Sequence, residues 1–292
     1  MAQMGTSREP KTGLVPPIVH PLWTNVLFAP YPAERRDGRG SVVQPERYEV
    51  PSGDGTMIPV FRSGEGPPLI LVHGGGPGHE AWDSVRPLLE SHRTMLAIER
   101  RSRFTDPSIR YDPRREFEDV AAVAADVGEE VELFGHSSGA VCALGAALDM
   151  QNLRALALYE PPLASLTESN VDYAEGLLRA GDLEVAAERF MLKTVRIRRD
   201  AFQALKASPA RPAMVARAPF LVREEAVLRE WNPEPEAFRA LTVPTLLLVG
   251  ERTPADHHLR GFVNLLRPQV RDLTVEEIPG EEHFGVARAP EQ

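Results

Sequence analysis

The sequence has one cysteine, Cys142, which excludes an internal disulfide and any zinc site built from several cysteines. It has only three lysines, Lys11, Lys193 and Lys206, so its positive charge is almost all arginine. It also lacks an excess of positive charge. The 33 basic and 42 acidic side chains give a formal net charge of −9, whereas nucleic-acid binding needs a basic face. No apolar run approaches the roughly 20 residues that cross a bilayer. The longest clean apolar stretches, such as Leu69–Val72 and Leu246–Val249, have strand length. The opening residues, MAQMGTSREPKTGLVPP, lack the apolar centre of a secretory leader. These absences point to a cytoplasmic protein with a small-molecule partner and neither nucleic acid nor membrane; a homodimer is left open.

What is present is an ordinary globular composition. The 292 residues are 42% hydrophobic and 26% charged, enough to bury a full core. Residues 1–45 carry Pro16, Pro17, Pro21, Pro30 and Pro32, which oppose a regular helix, and read as an N-terminal extension. From Arg47 strands and helices alternate. Arg47–Val50 and Met57–Phe61 read as strands joined by the turn Ser52-Gly53-Asp54-Gly55. Leu69–Val72, Met95–Ile98, Val131–Phe134 and Leu153–Tyr159 follow as strands. Between them, helices are expected over Glu80–His92, Arg115–Val127 and Gly139–Met150. Residues 163–240 show helical patterns only, at Tyr173–Ala180, Leu183–Leu192 and Leu221–Trp231. Strand Pro244–Val249, a helix carrying Leu259, Phe262, Val263 and Leu266, and strand Asp272–Ile278 complete the pattern. Such alternation predicts an α/β protein with a mainly parallel sheet, helices on both faces and an antiparallel edge. The core is expected over 46–162 and 241–292, with 163–240 as a helical cap. Ligands of such sheets sit at the carboxyl ends of the strands.

Gly135-His136-Ser137-Ser138-Gly139 joins the strand Val131–Phe134 directly to a helix. A sharp turn there lifts the Ser137 hydroxyl out of the sheet at the positive end of a helix. With this motif, His73-Gly74-Gly75-Gly76-Pro77-Gly78 after the third strand and Gly280-Glu281-Glu282-His283-Phe284 after the last, the chain resembles the α/β-hydrolase superfamily from about Arg47 onward. The resemblance implies an eight-stranded, mostly parallel sheet and a helical cap between the sixth and seventh strands. It also implies a serine–histidine–acid triad that needs no cofactor and no metal. Ser137 is then the nucleophile and His283 the base that activates it. His73 and His136 take structural places in the glycine motifs, and His257 and His258 fall on the helix after the seventh strand. The oxyanion donors are the N–H groups of Ser138 and of Gly75, with Gly76 as the fallback.

The sequence departs from the family at the acid. The aspartate usual after the seventh strand is replaced by Thr253, which cannot carry charge. Glu160, at the end of the sixth strand, is the expected acid, because a glutamate from that rim can reach the same imidazole nitrogen; Asp256, or no acid, is the alternative. A second departure is Glu99–Phe104, where Ser102 and Phe104 replace expected glycines, so this loop must take another path and can border the pocket. The family's last helix would be very short before Gln292, so a truncated C-terminus is left open.

The cap carries twelve basic and twelve acidic side chains, so it has no overall field. Its basic run Lys193–Arg199 fits a solvated helix face or an anchor for a substrate carboxylate. Leu163, Leu177, Phe190, Met191, Phe220 and Leu221 fit either a pocket wall or cap core, as Trp82 does at the oxyanion side. The leading expectation is a serine hydrolase of a small, largely apolar ester or lactone. The alternative is cofactor-free non-ester chemistry on the same site: carbon–carbon cleavage, elimination or cyclisation in secondary metabolism. A ligand receptor on the same scaffold is the third reading, disfavoured because Ser137 and His283 are both retained.

Overall fold

Alternate residues of a strand face opposite sides of a sheet, so a strand that is apolar throughout must be covered on both. The computed structural model describes residues 44–76, 78–164, 170–209 and 211–288. The expected extension over 1–45 therefore lies, except for Gln44 and Pro45, outside the described residues. All five residues of β3 (Pro68–Val72) and all six of β7 (Thr245–Gly250) are buried. Their side chains divide by parity: Ile70, Val72 and Leu247 enter one apolar cluster, and Leu69, Leu71, Leu246 and Leu248 the other.

The remaining strands are β1 (Glu46–Pro51), β2 (Met57–Ser63), β4 (Thr94–Ile98), β5 (Val131–His136), β6 (Leu153–Tyr159) and β8 (Leu273–Ile278). They form one eight-stranded sheet in the order β1-β2-β4-β3-β5-β6-β7-β8. β1 pairs antiparallel with β2, and β2 with β4; every other pairing is parallel. The carboxyl ends of β5, β6, β7 and β8 consequently share one edge.

Helices cover both faces. On one, α2 (Arg114–Val127), α3 (Ser138–Ala147) and α9 (Gly261–Leu266) supply Phe117, Leu144, Phe262 and their neighbours. On the other, α1 (Arg86–Leu89) lies with Trp82 and Val85, and Val286 of α10 (Gly285–Arg288) packs against them. The single helix expected over Glu80–His92 is replaced by a 3-10 turn, His79–Trp82, and the short α1. Pro87 explains the break: it lacks an N–H and sits in the first turn of α1, where a proline starts a helix but cannot continue one. Trp82 is core, its ring 5.3 Å from that of Phe134.

Between β6 and β7 the described residues form helices and turns without a strand: α4 (Val171–Ala180), α5 (Leu183–Arg189), α6 (Arg199–Ala207), α7 (Arg211–Ala216) and α8 (Ala218–Leu228). Asn170 caps α4 by accepting the Tyr173 N–H at 3.0 Å, and Gly181 ends it in the left-handed conformation. Ala186, Ala187 and Ala218 form a small core with Leu177, which is therefore interior to the insert. The run Lys193–Arg199 is no helix face. A π turn over Phe190–Thr194 is followed by a bend at Arg196, whose φ is 58°. Among the described residues no helix is long and apolar enough to cross a membrane.

The turn from β5 into α3 depends on close backbone crossing. A Cβ on Gly139 would fall inside contact distance of the carbonyl oxygens of Val72 and His73, both backbone. Gly139→Ala should therefore lower the unfolding free energy by about 3 kcal/mol, the upper end for overpacking. Urea titration of wild type and variant measures it, and equal midpoints would contradict the crossing.

Candidate active site

Two strand ends meet under strain. Ser137, directly after β5, has φ 55° and ψ −129°, and Glu160, directly after β6, has φ 47°. Positive φ costs a non-glycine residue about 1–3 kcal/mol and persists where the surroundings fix it. Here the neighbouring strands do so. The Ser137 N–H donates to the Tyr159 carbonyl at 2.9 Å, and the Glu160 N–H to that of Leu248 at 3.0 Å. Both side chains are thereby aimed over the same sheet edge.

His283, after β8, lies between them. Its Nε2 is 2.9 Å from Ser137 Oγ and its Nδ1 is 2.8 Å from Glu160 Oε2. Its loop is pinned twice: His136 Nε2–H donates to the His283 carbonyl at 2.8 Å, and the Tyr159 hydroxyl to the Glu282 carbonyl at 2.6 Å. Glu160 is fully buried, and its second oxygen, Oε1, accepts the Gly250 N–H at 2.8 Å and the Thr253 hydroxyl at 2.6 Å. Burial pushes the Glu160 carboxyl up, but the bonds from His283, Thr253 and Gly250 outweigh it and leave its pKa below the ordinary value. The carboxylate form is thus held at neutral pH. Of the acids left open, Glu160 meets the imidazole, whereas Asp256 is exposed. Thr253, where the resemblance implies the acid, instead donates to the carboxylate of Glu160.

Gly75, Gly76 and Ser138 line the space in front of Ser137. The Gly75 loop and Ser138 are tied together by Arg100, whose side chain is 1% exposed. Its Nη1 donates to the His73 carbonyl at 3.1 Å, to Ser138 Oγ at 3.0 Å and to Glu224 Oε1 at 2.9 Å. Its Nε and Nη2 donate to the two oxygens of Glu116 at 3.0 and 3.2 Å. Burial alone would lower the Arg100 pKa; Glu116 and Glu224 help to raise it well above the usual value. The Glu99–Phe104 loop, which the sequence allowed to border the pocket, does not line the cavity but reaches the site through this guanidinium. Arg100→Met would leave two buried carboxylates without a cation. It should destabilise by about 3–5 kcal/mol, read by chemical denaturation.

A cavity of about 720 Å³ opens over Ser137 and His283. Of the apolar residues singled out in the sequence, Leu163, Phe190, Met191 and Leu221 line it. Leu177, Phe220 and Trp82 do not: Phe220 lies under the guanidinium groups of Arg103 and Arg223, at 6.0 and 5.9 Å. His258 opens a 3-10 turn, His258–Arg260, that runs directly into α9, whereas His257 caps that turn from outside it. His257 Nδ1 accepts the Leu259 N–H at 3.3 Å, and His258, stacked on it, is part of the cavity wall. Burial above all holds both rings neutral, with pKa values lowered to about 4 for His257 and about 3 for His258.

His79, Glu80 and Glu99 bring three potential metal-ligand atoms close together. They are already paired: His79 Nδ1 is 2.7 Å from Glu99, Arg103 3.4 Å from Glu99, and Arg217 3.8 Å from Glu80. The cluster reads as an ion-pair network.

Residues 69–292 match the model of the Alpha/beta hydrolase family. The chain belongs to that family. An alpha/beta hydrolase from Sphaerobacter thermophilus DSM 20745 superposes with a TM-score of 0.70 at 28% identity, over 84% of this chain and 98% of that one. The esterase RhEst1 from Rhodococcus sp. ECU1013 superposes with a TM-score of 0.62 at 21% identity, over 84% and 94% of the two chains, a likeness of fold. A curated relative, the probable oxidoreductase EphD of Mycobacterium tuberculosis (strain ATCC 25618 / H37Rv), is 33% identical over 100 residues, 32% of this hydrolase-family chain. The match spans only 17% of that relative's length.

Proposed function

We propose that the chain is a serine hydrolase that cleaves a small, largely apolar ester or lactone through an acyl-enzyme. The observation that carries this reading is the unbroken relay from Ser137 Oγ through His283 to Glu160, at 2.9 and 2.8 Å, on the floor of an apolar cavity.

In this mechanism Ser137 Oγ attacks the ester carbonyl while its proton passes to His283 Nε2. Glu160 keeps the other ring proton on Nδ1 and stabilises the imidazolium that forms. The negative carbonyl oxygen accepts hydrogen bonds from the backbone N–H groups of Ser138 and Gly75, with Gly76 as the alternative to Gly75. The carbon–oxygen bond to the leaving group then breaks, and His283 Nε2–H protonates the departing alkoxide. Water, deprotonated by the same nitrogen, attacks the acyl carbon and releases Ser137. Residues 46–162 and 241–292 act as the catalytic core and 163–240 as the cap that shields the reacting atoms. Cytoplasmic action, proposed on the sequence grounds above, needs no cofactor.

The test uses nitrophenyl butyrate and a fluorophosphonate. The expected result is a pre-steady-state burst near one equivalent and stoichiometric phosphonylation of Ser137. A protein that labels at Ser137 yet leaves simple esters untouched would favour non-ester chemistry on the same site. A protein that neither labels nor turns over would overturn the proposal.

A further inference from the structure

The cavity-facing stripe of α8 is Leu221, Glu224, Glu225 and Leu228, which recur at helical spacing and are followed by Arg229 just past the helix. Two adjacent glutamates thus line a wall that Met191, Val195 and Leu228 make apolar. They are satisfied differently. Glu224 is held by Arg100. Glu225 has one oxygen engaged, Oε2, which accepts the Thr194 hydroxyl at 3.0 Å. Its other oxygen, Oε1, is buried and has no partner among the described residues, and the residue as a whole is 8% exposed. Buried polar atoms are normally paired, so a carboxyl oxygen left unpaired here calls for a partner.

The chemistry of the missing partner can be narrowed. Burial pushes the Glu225 pKa up, against the hydrogen bond from Thr194 and the charges of Arg189 and Arg229. Those two guanidinium groups disfavour a cationic ligand. A hydroxyl suits the carboxyl in either state, because it donates to the ionised form and accepts from the protonated one.

We infer that Glu225 is a specificity subsite for a hydroxyl borne by the substrate away from its scissile carbonyl. The substrate class narrows to esters or lactones of hydroxylated, otherwise apolar acyl chains. This rests on the hydrolytic reading above.

The experiment pairs nitrophenyl esters of straight-chain acids with their terminally hydroxylated counterparts, from six to twelve carbons. In wild type, kcat/KM for the hydroxylated ester should exceed that of its plain partner by about 10-fold at one or more lengths, the effect of one buried hydrogen bond. In Glu225→Leu that ratio should fall to one or below; Glu225→Met serves if the leucine variant does not fold. No preference at any length, or a preference unchanged by the substitution, overturns the subsite. A second arm needs no turnover. Calorimetric titration of Ser137→Ala, with and without Glu225→Leu, compares each hydroxyalkanoic acid with the plain acid of the same length. If wild type cleaves no ester but this arm shows a preference that Glu225→Leu removes, the hydrolytic reading fails and the subsite stands. If esters are cleaved without any hydroxyl preference, the reverse holds.

Discussion

Replacing Ser137 by alanine is expected to lower kcat on a nitrophenyl ester by about 10⁶-fold, and replacing Glu160 by glutamine by about 10⁴-fold. The first substitution removes the nucleophile. The second acts through proton placement. In the native site Oε1 accepts two hydrogen bonds, from Gly250 N–H and the Thr253 hydroxyl. A glutamine must put its oxygen there, so its NH₂ group faces His283 Nδ1. That nitrogen then has to accept, its proton moves to Nε2, and Ser137 meets a donor where it needs a base. Asp256→Asn, on an exposed side chain, should stay within about twofold of wild type. Steady-state kinetics with circular dichroism as a check on folding measures all three. A Glu160→Gln enzyme within tenfold of wild type would sink the assignment of Glu160, and a large loss in Asp256→Asn would transfer it.

The second large effect is acid destabilisation. His73, His136, His257 and His258 all have pKa values driven down chiefly by burial, with those of His136 and His258 at about 3 and that of His257 at about 4. In the unfolded chain each returns to an ordinary value of about 6.5. Above that pH neither state is protonated and the full stability is present. Below it the unfolded chain binds protons that the native rings refuse. Stability then falls by about 1.4 kcal/mol per pH unit for each histidine, until the native values are reached. Glu160 adds a loss at lower pH, as its depressed native pKa is passed. Urea midpoints should hold steady from pH 8 to 7 and drop steeply from pH 6 to 4.5. His258→Gln should make that drop shallower by roughly one proton. Midpoints constant down to pH 4.5 would contradict the burial of these rings.

The strands are legible in the sequence because each is a short apolar run between turn residues, a signal complete within a few residues. The serine turn is legible for the same reason, since strand, glycines and helix are contiguous. Glu160 is favoured on the sequence because Thr253 leaves the usual acid position without charge and the end of the sixth strand lies on the same rim, but Asp256 stays as an alternative. Choosing between them takes a distance between β6 and the loop after β8. Arg100 and Glu224 lie 124 residues apart, and nothing local pairs that arginine with one of 42 acidic residues. The expected helix over Glu80–His92 follows apolar spacing and overlooks Pro87, the residue that interrupts it. Assigning His257 to the helix after the seventh strand likewise misses that a buried imidazole can cap a turn before the helix begins; His258 does open the turn.

The Arg100–Glu224 contact has a bearing on engineering. The insert between β6 and β7 invites transplantation, because it interrupts the sheet at a single connection. In this molecule the donor domain of such a chimera would have to bring its own anion to the position of Glu224. Otherwise Arg100 Nη1 would lose its anionic partner beside the loop that carries Gly75, with Glu116 alone left to balance the buried guanidinium. A foreign insert lacking that anion should yield a less stable chimera, and Arg100 should be kept, because Glu116 is buried against it.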